Sequence, residues 1–261
     1  MTNWNGLELP ESYFHDDDVY IIKGDCVDIL PQLRNHCVEL GITSPPYNMR
    51  TRIRNGRYTE RERSEHFSKK YASFHDAYPI SDYYNIHNFV LSEMIRLTKV
   101  SAIVIQIVTG SKEPWFKLIG QYSEYIKDIA IWDKGNGQPA MHEAVMNRCY
   151  ELVLLLDSSK TAGRTFNSSY FARGTMPDMW RFGRGGNGKS KGHAAVFPEP
   201  LVAIILEGWS DKNAIVLDSF LGSGTTAIAS TKSDRKCIGI EISEEYCELA
   251  TIRYLRSINE Q

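Results

Sequence analysis

The amino-acid sequence predicts a single α/β domain, residues 1–261, built around a doubly wound, mostly parallel sheet of seven strands. The first observation is a series of short apolar runs rich in Val and Ile, which is typical of buried strands. The second is that stretches with helical apolar spacing lie between these runs, as in chains that build parallel sheets. The third is that 261 residues, 42% of them hydrophobic, suffice to bury one large core.

The first part of the chain supplies two strands and a short helix. The run 19–22 predicts a strand, which the turn Gly24-Asp25-Cys26 follows. Asp25 is suited to cap a helix predicted over 27–32, because its side chain can accept from a backbone N–H of the first turn. The run 37–43 predicts a second buried strand.

The middle of the chain supplies two helices and three strands. Ser81 is the expected N-cap of an amphipathic helix, whose apolar positions are Tyr83, Ile86, Val90, Met94 and Leu97. The β-branched run 101–108 predicts a central strand, and 115–125 predicts a helix. The runs 126–132 and 149–156 predict an antiparallel pair, with 134–139 as a turn-rich loop at the edge of a pocket.

The last part supplies the remaining elements. Pro198 or Pro200 is expected to open a helix that continues through Trp209, since proline is favoured in the first turn. Strands are predicted over 214–218 and 236–240, with a helix over 225–230 between them. Ser243 is expected to cap the final helix, which has two glutamates in its first turn.

The segment Thr43-Ser44-Pro45-Pro46-Tyr47-Asn48 ends the second predicted strand. Both prolines lack an N–H and fix φ, so the backbone must leave the sheet at this point. The neighbouring carbonyls become rigid acceptors, and Tyr47 adds a flat apolar face. Such a combination suits a nucleobase that carries an exocyclic amine. A simple polar turn is the alternative that this segment alone leaves open.

A glycine-rich segment follows the strand 214–218. The chain passes from Asp218 through Gly222-Ser223-Gly224 into a helix that begins at Thr225, so a ligand could approach the backbone closely and meet free N–H groups. Glu241 ends the next strand, where an acidic residue can bind ribose hydroxyls. Alone, this pattern also fits a nicotinamide-dependent oxidoreductase.

Together the two segments resemble the signatures of amino-directed DNA methyltransferases that use S-adenosylmethionine. These signatures are a (Ser/Asp/Asn)-Pro-Pro-(Tyr/Phe) catalytic motif and an Asp-Pro-Phe-x-Gly-Ser-Gly-Thr-Thr cofactor motif. The catalytic motif comes first, which resembles the permuted beta class, and the resemblance extends from about Tyr20 to Tyr254. It implies a Rossmann-like methyltransferase fold in permuted order. Ser219 and Ala194 depart from the usual prolines, and Ser219 is expected to loosen its turn.

The resemblance also implies roles for individual residues. Ser44, Pro45, Pro46 and Tyr47 match the catalytic motif. The Gly-Asp-Cys turn and the segment 193–199 match parts of the family that contact the cofactor. The residues predicted to bind S-adenosylmethionine are Asp25, Cys26, Phe197, Pro198, Asp218, Phe220, Gly222, Ser223, Gly224, Thr225 and Glu241.

The implied reaction is methyl transfer to the exocyclic amine of a flipped base. The Ser44 side chain and the Pro45 carbonyl are expected to accept from that amine, while the face of Tyr47, more than its hydroxyl, stacks on the base. Serine at the first motif position is more typical of N4-cytosine enzymes, since N6-adenine enzymes mostly carry aspartate. Cytosine N4 is therefore favoured, with adenine N6 as the alternative. RNA as substrate and a catalytically inactive DNA-binding protein stay open.

Basic residues are concentrated in two segments, although the net charge is −2. Basic and aromatic side chains alternate there, which suits phosphate contacts and base stacking; a solvated face is the alternative. Residues 49–78 are predicted to form a DNA-contacting loop insertion, and 161–192 a small target-recognition region. The predicted DNA-binding residues are Arg50, Arg52, Arg54, Arg57, Arg61, Arg63, Lys69, Lys70, Arg181, Arg184, Lys189 and Lys191.

Composition argues against several other classes. No apolar run approaches the roughly 18 to 20 residues that span a membrane, and residues 1–18 are too polar for a signal peptide. Five cysteines without Cys-x-x-Cys spacing indicate reduced core residues, so no metal is expected. The resemblance implies double-stranded DNA as partner and a cytoplasmic, nucleoid-associated prokaryotic protein. A homodimer and a cognate restriction endonuclease are left open.

Overall fold

The computed structural model of the protein describes residues 1–49, 51–60, 76–138, 143–160, 163–183 and 198–259. Nine predicted site residues lie outside these ranges. They are Arg50, Arg61, Arg63, Lys69, Lys70, Arg184, Lys189, Lys191 and Phe197.

Strands and helices alternate along most of the described chain. The strands are β1 (Thr2–Trp4), β2 (Leu7–Leu9), β3 (Phe14–His15), β4 (Val19–Lys23), β5 (Leu40–Thr43), β6 (Thr51–Arg54), β7 (Arg57–Glu60), β8 (Val100–Ile105), β9 (Ile126–Gln138), β10 (Arg148–Asp157), β11 (Met179–Arg181), β12 (Ile215–Asp218) and β13 (Lys236–Glu241). The helices are α1 (Cys26–Ile29), α2 (Ile80–Leu97), α3 (Lys112–Gln121), α4 (Glu199–Trp209), α5 (Thr225–Lys232) and α6 (Glu244–Asn259), and a 3-10 turn, Leu30–Gln32, extends α1.

The main sheet has the order β11-β9-β10-β8-β5-β12-β13-β4-β3 within the described ranges. β8, β5, β12, β13 and β4 are parallel neighbours, whereas β10 and β3 run in the opposite direction. The predicted mostly parallel sheet is therefore confirmed, and all seven predicted strands belong to it. The sequence analysis missed β3 and β11, the short strands at the two edges, because two or three residues are too few to show periodicity.

Helices cover both faces of the sheet, as the doubly wound prediction requires. One core cluster joins the sheet to α1, α2 and α3 through residues such as Leu30, Val90 and Trp115. Two others join the opposite face to α4, α5 and α6 through residues such as Ile205 and Ala250. Among the described helices, none is long and apolar enough to cross a membrane.

The predicted boundaries of two helices are wrong, by two residues at the start of α2 and by three and four residues at the two ends of α3. Helix α2 begins at Ile80 with Pro79 as its N-cap residue, and the Ser81 hydroxyl donates to Asp82 instead of capping the helix. Pro79 is suited to this end because its carbonyl accepts from the Tyr83 N–H, while a missing N–H costs nothing before the first turn. Helix α3 spans Lys112–Gln121 and ends before Tyr125, where the chain turns into β9.

Part of the predicted loop 49–78 is regular structure. β6 and β7 form an antiparallel hairpin, with Arg54 paired to Arg57. Asn55 and Gly56 form its turn, both with positive φ, as a tight hairpin turn requires. The Asn-Gly pair is a hairpin signal that the sequence analysis did not use, because the segment was interpreted from its many basic residues.

Residues 134–139 were also predicted as a loop, but β9 continues to Gln138. Arg148 of β10 pairs with Gln138, and the register shifts between Arg148 and Tyr150. The resulting bulge lets a glycine-rich stretch remain in the sheet.

The predicted target-recognition region contributes to the main core. Among its described residues, Phe166, Phe171 and Trp180 pack around Trp209 of α4, with ring centroids 5.3 to 6.3 Å from it. These aromatic side chains therefore pack into the core cluster that contains α4. Target recognition by the remainder of the region stays a prediction.

Candidate functional site

The candidate site lies at the edge where the parallel strands end. The carboxyl ends of β4, β13, β12, β5 and β8 meet there in spatial order. Ser44 follows β5, the glycine-rich loop follows the adjacent β12, and Asp25 follows β4. This is the edge at which open α/β sheets bind ligands. The two predicted motifs, about 175 residues apart in sequence, are therefore brought together.

Hydrogen bonds from two buried aromatic side chains fix the loop after β5. The Tyr83 hydroxyl of α2 donates to the Pro46 carbonyl at 2.6 Å, and the indole N–H of Trp115 donates to the Tyr83 oxygen at 3.1 Å. Both rings are fully buried. Within the described residues, the Pro45 carbonyl accepts no hydrogen bond from the protein.

Asn48 fixes the far end of this loop. Its φ is +55°, a left-handed conformation that asparagine tolerates, and its side chain is fully buried. The amide donates to the carbonyls of Tyr78 and Gly110 and accepts from the Tyr78 N–H and the Thr51 hydroxyl. Gly110 is required beside it, because a Cβ there would lie 2.3 Å from the Asn48 carbonyl oxygen. Asn48 thus ties the loop to two other segments.

The hydroxyl of Tyr47 lies at the centre of a chain of hydrogen bonds. It donates to Glu151 Oε2 at 2.7 Å and lies 2.8 Å from Ser44 Oγ. The other Glu151 oxygen accepts from Lys134 Nζ at 2.8 Å. Lys134 and Glu151 are buried, whereas Ser44 and Tyr47 are half-buried. The sequence analysis expected the ring of Tyr47 to matter more than its hydroxyl. The structure shows that the hydroxyl has two hydrogen-bond partners, Ser44 and Glu151, which that expectation did not include.

The glycine-rich loop leads into α5 through two left-handed residues. Gly222 and Gly224 have φ of +54° and +82°, and a Cβ on Gly224 would lie 2.8 Å from Ala250 Cβ. Gly224 is the N-cap of α5 and supplies no side-chain cap, so the backbone N–H groups of the first turn remain available to an anion. Arg253 of α6 supports the loop from behind by donating to the Ser223 carbonyl and hydroxyl.

Asp218 connects the two motifs from inside the protein. One carboxyl oxygen accepts from the Thr43 hydroxyl at 2.9 Å and from the Phe220 N–H, and the other accepts from Thr226 at 2.6 Å. Burial raises the pKa of this carboxyl to about 6, against the hydrogen bonds that favour its ionised form. With 2% of its surface exposed and both oxygens engaged, Asp218 is placed to hold the loops in position.

Ser219, which departs from the family proline, adds a second link. Its hydroxyl donates to Thr43 Oγ1 at 3.2 Å. A proline could not make this bond, so the expected loosening of the turn is offset by a tie to β5.

Glu241 borders the loop on the β13 side. One oxygen accepts from the Gly222 N–H at 2.9 Å and the other from the Ser243 N–H at 2.8 Å. Burial raises the pKa of the Glu241 carboxyl, and these two N–H groups oppose the shift. Each oxygen retains a second lone pair, so the predicted contact with ribose hydroxyls is compatible with this geometry.

The other described residues that were predicted to bind the cofactor lie at the same edge. Asp25 caps α1 by accepting from the Val27 N–H at 2.9 Å, as predicted, and Cys26 is buried behind it. Phe220 lies parallel to the buried His87 ring, with centroids 6.4 Å apart. Pro198 is the buried N-cap residue of α4, which continues through Trp209 as expected.

The predicted DNA-binding residues that the structure describes fall into two groups. Arg54 and Arg57 are exposed on the β6–β7 hairpin, and Arg52 is half-buried. The hairpin begins three residues after Asn48, and Tyr58 donates to Glu113 at the start of α3, so it lies at the site edge. Arg181 differs, because its guanidinium pairs with Asp133 at 2.7 Å.

Sequence reasoning named Asn48 within the first motif and Lys134 within a loop at the edge of a pocket, but it assigned neither of them a contact that supports the motifs. Glu151, Lys134, Asn48, Tyr83 and Arg253 act through contacts between distant segments, which spacing along the chain does not encode. One signal was available. Lys134 directly follows the predicted strand 126–132 and Glu151 lies within the predicted strand 149–156, and a charge in a buried strand needs a partner of opposite charge.

Comparison with family models identifies the region that contains both motifs. A model named for N6 and N4 methyltransferases and described as DNA methylase matches residues 38–252. This range covers most of the main sheet, including Ser44 to Tyr47 and the glycine-rich loop.

Several curated bacterial proteins are similar to the chain. The type II beta methyltransferase M.BslI of Bacillus sp. (strain NEB-606) is 28% identical over 90% of this chain and 27% of its own length. The type II methyltransferase M.SmaI of Serratia marcescens is 32% identical over 51% of this chain and 47% of its own length. M.ScaI of Streptomyces caespitosus is 23% identical over 94% and 84%. The chain thus spans about a quarter to a half of the first two relatives.

Solved structures share the fold. The PvuII DNA methyltransferase (cytosine-N4-specific) superposes with a TM-score of 0.67 at 14% identity, over 94% of both chains. The M1.HpyAVI–SAM complex gives a TM-score of 0.57 at 19% identity, over 90% of this chain and 99% of that chain. At these identities the similarity establishes a Rossmann-like α/β fold of the methyltransferase type.

Proposed function

Because the chain belongs to the N6/N4 DNA methylase family, we propose that it transfers a methyl group from S-adenosylmethionine to an exocyclic amine of DNA, with cytosine N4 as the target. The observation that carries this proposal is the meeting of two loops. The Ser44 loop and the glycine-rich loop leave adjacent parallel strands, and Thr43 and Asp218 join them by a 2.9 Å hydrogen bond.

The glycine-rich side of the site fits S-adenosylmethionine. When bound, this cofactor supplies an electrophilic methyl group. Glu241 can accept from its ribose hydroxyls, and the N–H groups of the first turn of α5 can donate to its carboxylate. Gly222 and Gly224 leave the backbone open to close approach. Asp25, Cys26, Phe220 and Pro198 complete the proposed set at the same edge.

The Ser44 side of the site fits the base. The Pro45 carbonyl and Ser44 Oγ can both accept from an amine, and the Tyr47 ring supplies a face for stacking. Positive charge develops on the amine nitrogen as its new bond forms, so acceptors held rigidly beside it stabilise the transition state more than the bound substrate. Rigidity comes from Tyr83 and Asn48, which fix the loop on both sides.

Two observations support cytosine over adenine. Ser44 occupies the position where N6-adenine enzymes of the family mostly carry aspartate. The PvuII enzyme, a structural neighbour, is cytosine-N4-specific by its name. The relatives M.BslI and M.ScaI are type II methyltransferases, which supports a role for this chain in restriction–modification and a cognate endonuclease as a partner.

The decisive experiment is to express the chain in a bacterial host that lacks DNA methylation and to sequence the host DNA with a method that distinguishes N4-methylcytosine from N6-methyladenine. We expect N4-methylcytosine at one short sequence. Cells that express Ser44→Ala are the matched control, with the modification reduced or absent. N6-methyladenine would overturn the base assignment, and unmodified DNA with a folded parent protein would overturn the proposed activity.

A further inference from the structure

We propose that Glu151 and Lys134 are positioning residues that fix the direction of the hydrogen bonds through Tyr47, so that Ser44 presents only an acceptor to the target amine. The proposal rests on the proposed function and adds two residues that lie outside its motifs. It also assigns a specificity role, because an acceptor-only site distinguishes an amine from a carbonyl.

The arrangement is built into the sheet. Lys134 belongs to β9 and Glu151 to the adjacent β10, where Glu151 pairs with Trp132. The next residue of β10, Leu152, pairs with Ile105, the last residue of β8. Glu151 therefore lies just beyond the end of β8, from where its side chain reaches the loop that follows β5.

The two charges are almost completely removed from water. The side chains of Lys134 and Glu151 are 5% and 7% exposed, and their charged atoms are 2.8 Å apart. Lys134 Nζ also lies 5.5 Å from the centre of the Trp132 ring. Burying an ion pair is costly, and hydrophobic replacements are often at least as stable. A buried ion pair beside the Ser44 loop therefore calls for a role other than stability.

The carboxylate determines which way each hydroxyl points. Ionised Glu151 has no proton to give, so the Tyr47 hydroxyl must donate to it. Towards Ser44 the Tyr47 oxygen then presents only lone pairs, so the Ser44 hydroxyl must donate to it across 2.8 Å. Lys134 occupies the second Glu151 oxygen and supplies the balancing charge.

The consequence is a fixed polarity at the target. With its proton directed at Tyr47, Ser44 Oγ can offer only lone pairs to a substrate. In the part of the chain that the structure describes, Tyr47 is the one hydrogen-bond partner of the Ser44 side chain. An acceptor favours an amine N–H and repels a carbonyl oxygen at the same position, which is the difference between cytosine and uracil or between adenine and hypoxanthine.

The test is Glu151→Gln, which keeps the shape of the side chain and replaces an obligate acceptor with an amide that can donate to Tyr47. Glu93→Gln is the matched control, because Glu93 is also a poorly exposed ion-pair partner but lies on α2 beside Arg96, away from the Ser44 loop. Both variants are assayed with tritiated S-adenosylmethionine and unmethylated genomic DNA. We expect the single-turnover rate of Glu151→Gln to fall about ten-fold or more, and that of Glu93→Gln to match the parent.

A double-mutant cycle separates positioning from general stability. If Glu151 acts through the Tyr47 hydroxyl, Glu151→Gln should add little to the rate already lost in Tyr47→Phe. Losses that multiply in the double variant would contradict the proposed chain of hydrogen bonds. Should Glu151→Gln fail to fold, Lys134→Gln combined with Glu151→Gln leaves no unpaired buried charge and carries the same expectation.

Base discrimination provides a readout that a structural role would not change. The probes are duplexes of the sequence found to be modified, with uracil in place of the target cytosine or, if adenine is modified, hypoxanthine in its place. The parent should bind the amine duplex more tightly, and this preference should shrink in Glu151→Gln. An active parent with an unchanged preference and rate in Glu151→Gln would overturn this inference alone, whereas a parent that modifies no amine overturns the proposed function.

Discussion

At the scale of single residues, Tyr47 shows how the structure changes an expectation. The motif predicts an aromatic face, and a half-buried ring directly after Pro46 is consistent with that. The hydroxyl is equally constrained, because it lies between Ser44 and the buried Glu151. In the proposed site, Tyr47 thus supplies both the face that stacks on the base and the hydroxyl that orients Ser44.

Tyr47→Phe should therefore be more damaging than the motif suggests. Loss of a hydrogen bond to a buried carboxylate costs ~1–3 kcal/mol, and Ser44 would lose its orienting partner. We expect a slower single-turnover rate with DNA affinity largely kept, since the ring is unchanged. Tyr47→Ala should lose the stacking contribution as well. A Tyr47→Phe enzyme as fast as the parent would show that the ring alone matters.

At the scale of secondary-structure elements, Asp218 joins β12 to β5 and to α5 through Thr43 and Thr226. The glycine-rich loop and the Ser44 loop therefore share one buried carboxyl group. Its pKa of about 6 gives this junction a characteristic dependence on pH.

Asp218→Asn should change how stability varies with pH. Because burial raises the folded-state pKa to about 6 from 3.8, the folded state holds the proton more tightly between these values. The stability from this group is full below about pH 4 and is lost as the pH rises through 6, by roughly 3 kcal/mol. Urea unfolding of parent and variant from pH 4 to pH 7 measures it. The variant should gain stability relative to the parent as pH rises; a constant difference would contradict the assignment.

The β6–β7 hairpin carries a prediction about DNA binding. Replacing Arg52, Arg54 and Arg57 with Ala should weaken binding to all sequences and reduce the salt dependence by up to about three units of slope, one per phosphate contact. The matched control removes three lysines next to the opposite ends of strands, where Lys99 and Lys212 precede β8 and β12 and Lys160 follows the antiparallel β10. Equal salt slopes for the two triple variants would show that the hairpin is a solvated face and makes no phosphate contacts.

At the scale of the whole molecule, strands and motifs were predictable because their signals are local. Apolar runs such as those around Ile21, Ile42 and Val104 predicted the seven strands that lie between the two edge strands, and Gly222 and Gly224 marked the loop before α5. The contacts that sequence reasoning missed depend on the order of the strands in the sheet. Glu151 reaches Tyr47 only because β10 lies beside β8, and Trp180 joins the core only because β11 adds to β9.

The fold and the proposed cofactor predict how the whole protein responds to ligand. S-adenosylmethionine at about 100 times its dissociation constant should raise the free energy of unfolding by roughly 2.7 kcal/mol, because it binds only the folded state. NAD at the same concentration should have no such effect, which separates the proposal from an oxidoreductase. Thermal or urea unfolding with and without each ligand provides the measurement.

Glu241→Ala identifies the residue responsible for that stabilisation. Loss of the hydrogen bonds that ribose hydroxyls donate to a carboxylate is worth ~1.5–3 kcal/mol, so most of the gain from S-adenosylmethionine should disappear at the same concentration. Comparing each protein with and without ligand cancels the cost of freeing the Gly222 and Ser243 N–H groups. Glu248→Ala is the control, since that carboxylate is exposed on α6. A full ligand-induced shift in Glu241→Ala would remove Glu241 from the cofactor site and leave the methyltransferase proposal standing.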